Sequence, residues 1–165
     1  VDREAVASHI PRLRRYARAL VGDRMLADDL VQDTLERALA KYHLWRPGSD
    51  LRAWLFSIMH SVFVNQVRAR KPLAAALDDN RDRSAAAEGA ERLEIRDLEV
   101  ALAQLPEEQR AVVLLVGLEE LSYADAARAL GVPIGTVMSR LARGRERLRQ
   151  LMSGARATPT LKVVK

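Results

Sequence analysis

The chain contains no cysteine, so disulfides and thiolate metal sites are excluded. Aromatic residues make up only 4% of its 165 positions, so any core must be built from Leu, Val, Ile and Ala. No apolar run approaches the roughly 20 residues that span a bilayer, and no signal peptide is visible. There is no Gly-x-x-x-x-Gly-Lys loop and no Gly-x-Gly-x-x-Gly fingerprint. His9, His43 and His60 are scattered without ligand spacing, and no Ser or Asp sits in a nucleophile motif. The expectation is a cytoplasmic protein that is not an enzyme, with no metal, no cofactor and no small-molecule substrate.

What is present is charge, unevenly placed. The net charge is +5. Residues 1–71 hold 13 Lys and Arg against 8 Asp and Glu. Residues 72–99 hold 4 against 8, and residues 100–165 hold 10 against 6. Two basic blocks thus flank an acidic joint. Pro72, the alanines 74–76 and the polar stretch to Gly89 cannot bury a core, which reads as a flexible linker over 72–92. A solvated helix is the alternative, since Ala and Glu favour helices.

Residues 122–149 read as helix, tight turn and basic helix. Ser122 is placed to cap the first helix, with Asp125 as the reciprocal acid of a capping box. Gly131 ends it and Pro133 prevents continuation. The second helix places Val137, Leu141, Gly144, Leu148 and Leu151 on one stripe. Thr136, Ser139, Arg140, Arg143 and Arg147 fall on the other. An α-helix fits the DNA major groove, and arginine bonds both phosphates and guanine edges. The pattern is a helix-turn-helix with its charge facing outward. An ordinary helical hairpin with a solvated face is the plainer alternative.

The N-terminal block reads as three helices. The first spans about Asp2 to Val21, with Ile10, Leu13, Ala17 and Leu20 inward and Arg12, Arg15 and Arg18 outward. The second spans about Arg24 to Leu44, with Leu26, Leu30, Leu35, Ala38, Leu39 and Tyr42 at helical spacing. Asp29, Gln32, Asp33 and Glu36 lie together on its exposed side. The third spans about Asp50 to Arg70, with Leu51, Trp54, Leu55, Ile58 and Val62 as its stripe. The expected fold is all-α: two small helical domains, residues 1–71 and 93–152, followed by a tail over 153–165 without a readable motif.

Three segments resemble one family. Residues 27–39, Ala-Asp-Asp-Leu-Val-Gln-Asp-Thr-Leu-Glu-Arg-Ala-Leu, resemble the helix by which bacterial sigma factors grip core RNA polymerase. Residues 51–70 look like the helix pair that melts and reads the −10 element. Residues 105–116, Leu-Pro-Glu-Glu-Gln-Arg-Ala-Val-Val-Leu-Leu-Val, with the helix-turn-helix, look like the domain that reads the −35 element. Two such domains with none between them resemble the extracytoplasmic-function (ECF) group. The resemblance covers about residues 8–152. It implies a sigma region 2 domain of three helices and a sigma region 4 helix-turn-helix domain.

The resemblance also implies roles. Asp29, Gln32, Asp33 and Glu36 would meet the polymerase, the first three matching positions that contact the β′ coiled coil. The β subunit is a further expected partner. A solvated acidic face and a metal site at Asp29 and Asp33 are the alternatives. The stretch His60-Ser-Val-Phe-Val-Asn65 would form the loop that captures a flipped −10 base. There Ser61 stands where relatives often carry Asn. Trp45 matches a position near that pocket but also suits a capping core residue. Trp54 fits the core. Phe63 suits either role, and Asn65, Arg68 and Arg70 suit backbone and upstream base edges. Thr136, Ser139, Arg140, Arg143 and Arg147 would meet the −35 element, with Thr136 at a helix N-terminus that favours phosphate. Met138 stands where Lys or Arg is frequent, and Gly144 where Ala is usual.

The function implied is that of an ECF sigma factor that brings core polymerase to promoter DNA. A sigma-like mimic that binds an anti-sigma factor, or a simple helix-turn-helix regulator, is the alternative. An anti-sigma factor is the expected regulator, lodged between the two domains and competing with polymerase.

Overall fold

The computed structural model describes residues 2–74 and 90–161, with side chains for 2–66 and 94–154. Most of the expected linker therefore lies outside the described residues. Every regular element among them is helical. α1 spans Arg3–Ala7, α2 Ile10–Val21, α3 Arg24–Lys41 and α4 Leu51–Ala74. α5 spans Ala90–Gln104, α6 Glu107–Val113, α7 Tyr123–Leu130 and α8 Ile134–Leu161. A 3₁₀ turn at Tyr42–Leu44 follows α3, and a π turn at Leu114–Leu118 follows α6.

The single first helix expected from the periodicity is two helices. Pro11 lacks the N–H that would continue the α1 ladder, and it sits in the first turn of α2, where none is needed. α3 starts where Asp23 accepts the amides of Met25 and Leu26, at 2.9 and 3.1 Å. α2 ends at Gly22, whose φ of +76° is left-handed.

The inner face of α2 carries Leu13, Ala17 and Leu20 as expected, and also Tyr16, which packs edge-on against Phe56 at 5.1 Å. α3 contributes Ala27, Leu30, Val31 and Ala38, plus a buried Thr34 whose hydroxyl donates to the Leu30 carbonyl. α4 contributes Leu55, Phe56, Ile58, Met59, Val62 and Phe63. α2, α3 and α4 thus pack as one three-helix unit. In the second half, Leu105, Val112, Leu115, Ala126, Val137 and Leu141 are buried where α6, α7 and α8 meet. Both groups belong to one continuous apolar cluster. α7 lies on α4, and the turn after α6 lies on α2.

Candidate nucleic-acid interface

The helix-turn-helix is fixed by local chemistry. The Ser122 hydroxyl accepts from the Asp125 amide at 3.1 Å. The Asp125 carboxylate turns instead to Arg128, at 2.6 Å, so the reciprocal half of the expected capping box is replaced by an ion pair. Gly131 has φ +66° and donates to the Arg128 carbonyl, while the Val132 amide donates to Ala127. That pairing of bonds closes the helix and turns the chain. The Pro133 carbonyl then accepts from Thr136 and Val137, opening α8.

α8 has two faces. Val137 and Leu141 are buried, and Gly144 is pressed against α6. Ser139, Arg143 and Arg147 are exposed, while Thr136 and Arg140 are half-buried. Thr136, Ser139, Arg140 and Arg143 line an open cleft of about 410 Å³ with Pro106, Glu108, Gln109 and Gly135. Arg140 is drawn toward Glu108 at 3.6 Å, a loose pair in which the carboxylate lies largely in solvent. The face is therefore a row of cations beside a helix N-terminus, a shape and charge that suit a nucleic-acid backbone.

The second surface is acidic. Asp29, Gln32, Asp33 and Glu36 are all exposed along α3. Gln66 of α4 donates its amide to the Asp33 carboxylate. Carboxylates and an amide at this spacing on an open face fit a partner that offers arginines.

The described residues expected to read the −10 element differ in exposure. The expected loop from His60 to Asn65 does not form, because α4 runs unbroken through it. The stretch contains no glycine or proline, and Val62 and Phe63 are anchored in the core. Phe63, 8% exposed, is thus a packing residue and not a surface platform for bases. Trp45 is half-buried and lies 5.5 Å from the Tyr42 ring, which also meets Trp54 edge-on at 6.3 Å. The Trp45 indole N–H is buried with no hydrogen-bond partner among the described residues. Ser61 and Asn65 are exposed. The side chains of Arg68 and Arg70 lie outside the described residues.

His60 faces the other half of the molecule. With Ser57 and Ser61 it lines a gap of about 320 Å³, across from Arg128, Ala129, Leu130 and Gly131 of the helix-turn-helix, with Arg37 and Lys41 at its rim. Burial, and next the Arg140 charge, hold the His60 imidazole below its ordinary pKa of 6.5. Its Nδ1 is buried without a hydrogen-bond partner among the described residues.

Two further groups escape a reading of the sequence. The Arg110 guanidinium donates to the carbonyls of Leu102, Ala103 and Leu105 at the end of α5, and to Leu20 at the end of α2. Glu119 is fully buried and takes two hydrogen bonds from Arg15. These partners are up to 104 positions apart, so no local pattern signals them.

Comparison with known proteins accounts for both halves. Residues 6–60 match a family model described as the Sigma2 domain of PhyR, and residues 95–148 match one described as Sigma-70, region 4. The ECF RNA polymerase sigma factor EcfG of Rhodopseudomonas palustris is 38% identical over 152 residues, covering 91% of this chain and 84% of that protein. The ECF sigma factor SigE of Mycolicibacterium smegmatis is 37% identical over 158 residues, covering 91% of this chain and 61% of that longer protein. The sigma factor RpoE of Bartonella quintana, solved in complex with the anti-sigma factor NepR, superposes with a TM-score of 0.78 at 38% identity, over 91% of this chain and 95% of that one. With the paired helical domains, these similarities establish that the chain belongs to the ECF group of RNA polymerase sigma factors.

Proposed function

We propose that residues 1–71 and 93–152 divide the work of a sigma factor between them. The first domain docks on core polymerase through Asp29, Gln32, Asp33 and Glu36. It approaches the −10 element through Ser61, Asn65, Arg68 and Arg70, with His60 and Trp45 as further contacts. The second holds the −35 element on Thr136, Ser139, Arg140, Arg143 and Arg147. The observation that carries this reading is the pairing of an open acidic face on α3 with an open basic face on α8. A mimic that only binds an anti-sigma factor has no use for the row of exposed arginines. A simple repressor has no use for the acidic face of α3. The polypeptide acts as a specificity subunit in the cytoplasm, with the chemistry left to the polymerase. Among the described residues no helix is long and apolar enough to cross a membrane.

An anti-sigma factor is the regulator we propose, but not as a wedge between the domains. α7 already lies directly on α4, so a partner lodged there would have to part them. The likeness to the NepR-bound sigma factor spans both halves, and we place a partner of that kind on the outside of the joined arrangement.

The test is a titration of core polymerase. Asp29→Ala with Asp33→Ala weakens binding, each lost charge-assisted contact costing about 1.5–3 kcal/mol, and leaves the helical content unchanged. Unaltered affinity removes α3 from the docking role.

A further inference from the structure

We propose that Met138, with Ile134 and Ala142 beside it, is a specificity-determining residue that reads the methyl groups of thymine in the −35 element. The inference rests on the promoter-binding reading above, because it names the chemical group that the first turns of α8 recognise in that DNA.

α8 leaves two different flanks open at its N-terminal end. One carries Thr136, Arg140 and Arg143, which line the cleft with Glu108 and Gln109. The other carries Ile134, Met138 and Ala142, each four positions from the next and so aligned along the helix. Ile134 is 49% exposed and Met138 52% exposed, and Ala142 is exposed as well. None of the three lines the cleft. Gly135 and Ser139 lie between the two flanks by helical geometry, and both are exposed. The contacts that hold α8 in the fold come from Val137 and Leu141, which are buried. Packing therefore leaves Met138 without a role.

The uncharged strip is confined to the first turns of α8, which begins at Ile134. Past Ala142 the same flank continues with Arg145 and Arg149, both exposed, and Arg149 is held by Glu146 at 2.6 Å. A recognition helix meets base edges with its first turns. The thymine 5-methyl is the apolar group that the major groove presents there, and apolar side chains meet it. Methionine carries no charge and donates no hydrogen bond, so it cannot hold a phosphate. Its unbranched, polarisable chain fits itself to an irregular apolar surface. Ile134, β-branched and stiff, flanks it one turn earlier.

The two flanks then act on different parts of the DNA. Arginines hold the backbone, which carries no sequence, while the apolar strip separates thymine from cytosine, whose ring has no methyl. A protein partner is the competing occupant of the strip. Two large side chains and an alanine are too small a patch to anchor one. The strip is also continuous, across Gly135 and Ser139, with the cationic face, whose charge complements DNA.

The test uses the holoenzyme formed by this chain with core polymerase. A −35 element is selected from promoter fragments randomised over that region. Each thymine in it, on either strand, is then replaced in turn by deoxyuridine, which removes the methyl and keeps the base pair. The parent should lose about threefold to fivefold in promoter affinity at one or two positions, the worth of one buried methyl. Met138→Ala should bind the thymine and deoxyuridine promoters equally, with its salt dependence unchanged, and Met138→Leu should restore part of the preference. Met138→Arg should abolish the methyl effect and steepen the slope of log affinity against log salt by about one. Thermal midpoints should stay unchanged, because the side chain is exposed. The assignment falls if the selected element contains no A·T pair, or if no deoxyuridine lowers the affinity of the parent while its −35 preference is otherwise intact. It also falls if the methyl effect survives in Met138→Ala. A Met138→Ala variant that binds every promoter as the parent does but holds core polymerase less tightly gives the strip to a protein contact and overturns the assignment. A holoenzyme indifferent to −35 sequence altogether overturns the functional reading together with it.

Discussion

Gly144 in the middle of α8 lies so close to Val113 at the end of α6 that a Cβ added there would sit 2.6 Å from the valine Cγ2. A glycine inside a helix costs about 1 kcal/mol relative to alanine. Here it lets α8 approach α6. Val113 is β-branched and stiff about χ1, so it yields little. Gly144→Ala therefore destabilises the chain by about 1–2 kcal/mol, overpacking outweighing the gain in propensity. In a Val113→Ala background the same substitution becomes neutral or stabilising. Urea unfolding of the four proteins in the cycle measures this, and additive effects would remove the steric explanation.

Glu108 competes with DNA for Arg140. The pair is 3.6 Å apart with Glu108 largely in solvent, so it is worth at most about 1 kcal/mol. Glu108→Gln should tighten binding to a −35 duplex by up to about fivefold. Arg140→Ala should cost about 1–3 kcal/mol and, if Arg140 meets a base, relax preference at one base pair. Arg143→Ala, if Arg143 meets a phosphate, should lower the slope of log affinity against log salt by about one while leaving sequence preference intact. Binding to a panel of −35 variants at several salt concentrations separates these outcomes. Unchanged binding in both arginine variants removes the assignment of the α8 face.

What was legible in the sequence was local. Ser122, Gly131 and Pro133 act within a few positions of themselves, and the structure has the turn where they place it. The acidic face of α3 and the two-sided α8 follow from periodicity alone. Three things were not legible. Pro11 broke a helix whose apolar pattern continued across it. The stretch from His60 to Asn65 was expected as a loop by resemblance, although its own residues carry no helix breaker. Glu119, between Leu118 and Glu120, looks like any solvated acid, because its arginine partners come from helices far away in the chain.

Arg110 shows the same limit. It lies within the stretch that suggested region 4, yet its role is structural. One guanidinium satisfies carbonyls at Leu102, Ala103, Leu105 and Leu20 at 2.7–3.0 Å. The last carbonyls of a helix lack an i to i+4 partner; here the Leu102 carbonyl is also met by the Leu105 amide at 3.1 Å, and Arg110 serves its neighbours. A lysine ammonium is a point charge and cannot reproduce this planar fork. Arg110→Lys should therefore destabilise the protein by about 2–3 kcal/mol. Loss of only a few tenths of a kcal/mol in urea unfolding would show that water replaces these bonds at little cost.

His60 gives the folded chain a dependence on pH. Its imidazole is flanked by cations from every element packed around it: Arg37 and Lys41 on α3, Arg128 on α7 and Arg140 on α8. Burial, and then Arg140, lower its pKa below 6.5. A lowered histidine pKa means that the unfolded chain binds the proton more readily than the folded one. Stability is therefore fully present above pH 6.5 and declines as the pH falls from 6.5 toward the lowered value. His9, also lowered chiefly by burial and then by Arg12, acts in the same direction, so the comparison must be made within a pair of proteins. Between pH 7.5 and 5.5 the thermal midpoint of the parent chain should fall further than that of His60→Gln, which has no proton to gain at that position. Nuclear magnetic resonance of the His60 ring should show a midpoint below 6.5. A His60 that titrates at or above 6.5 in the free chain would mean that the helix-turn-helix does not cover it in solution.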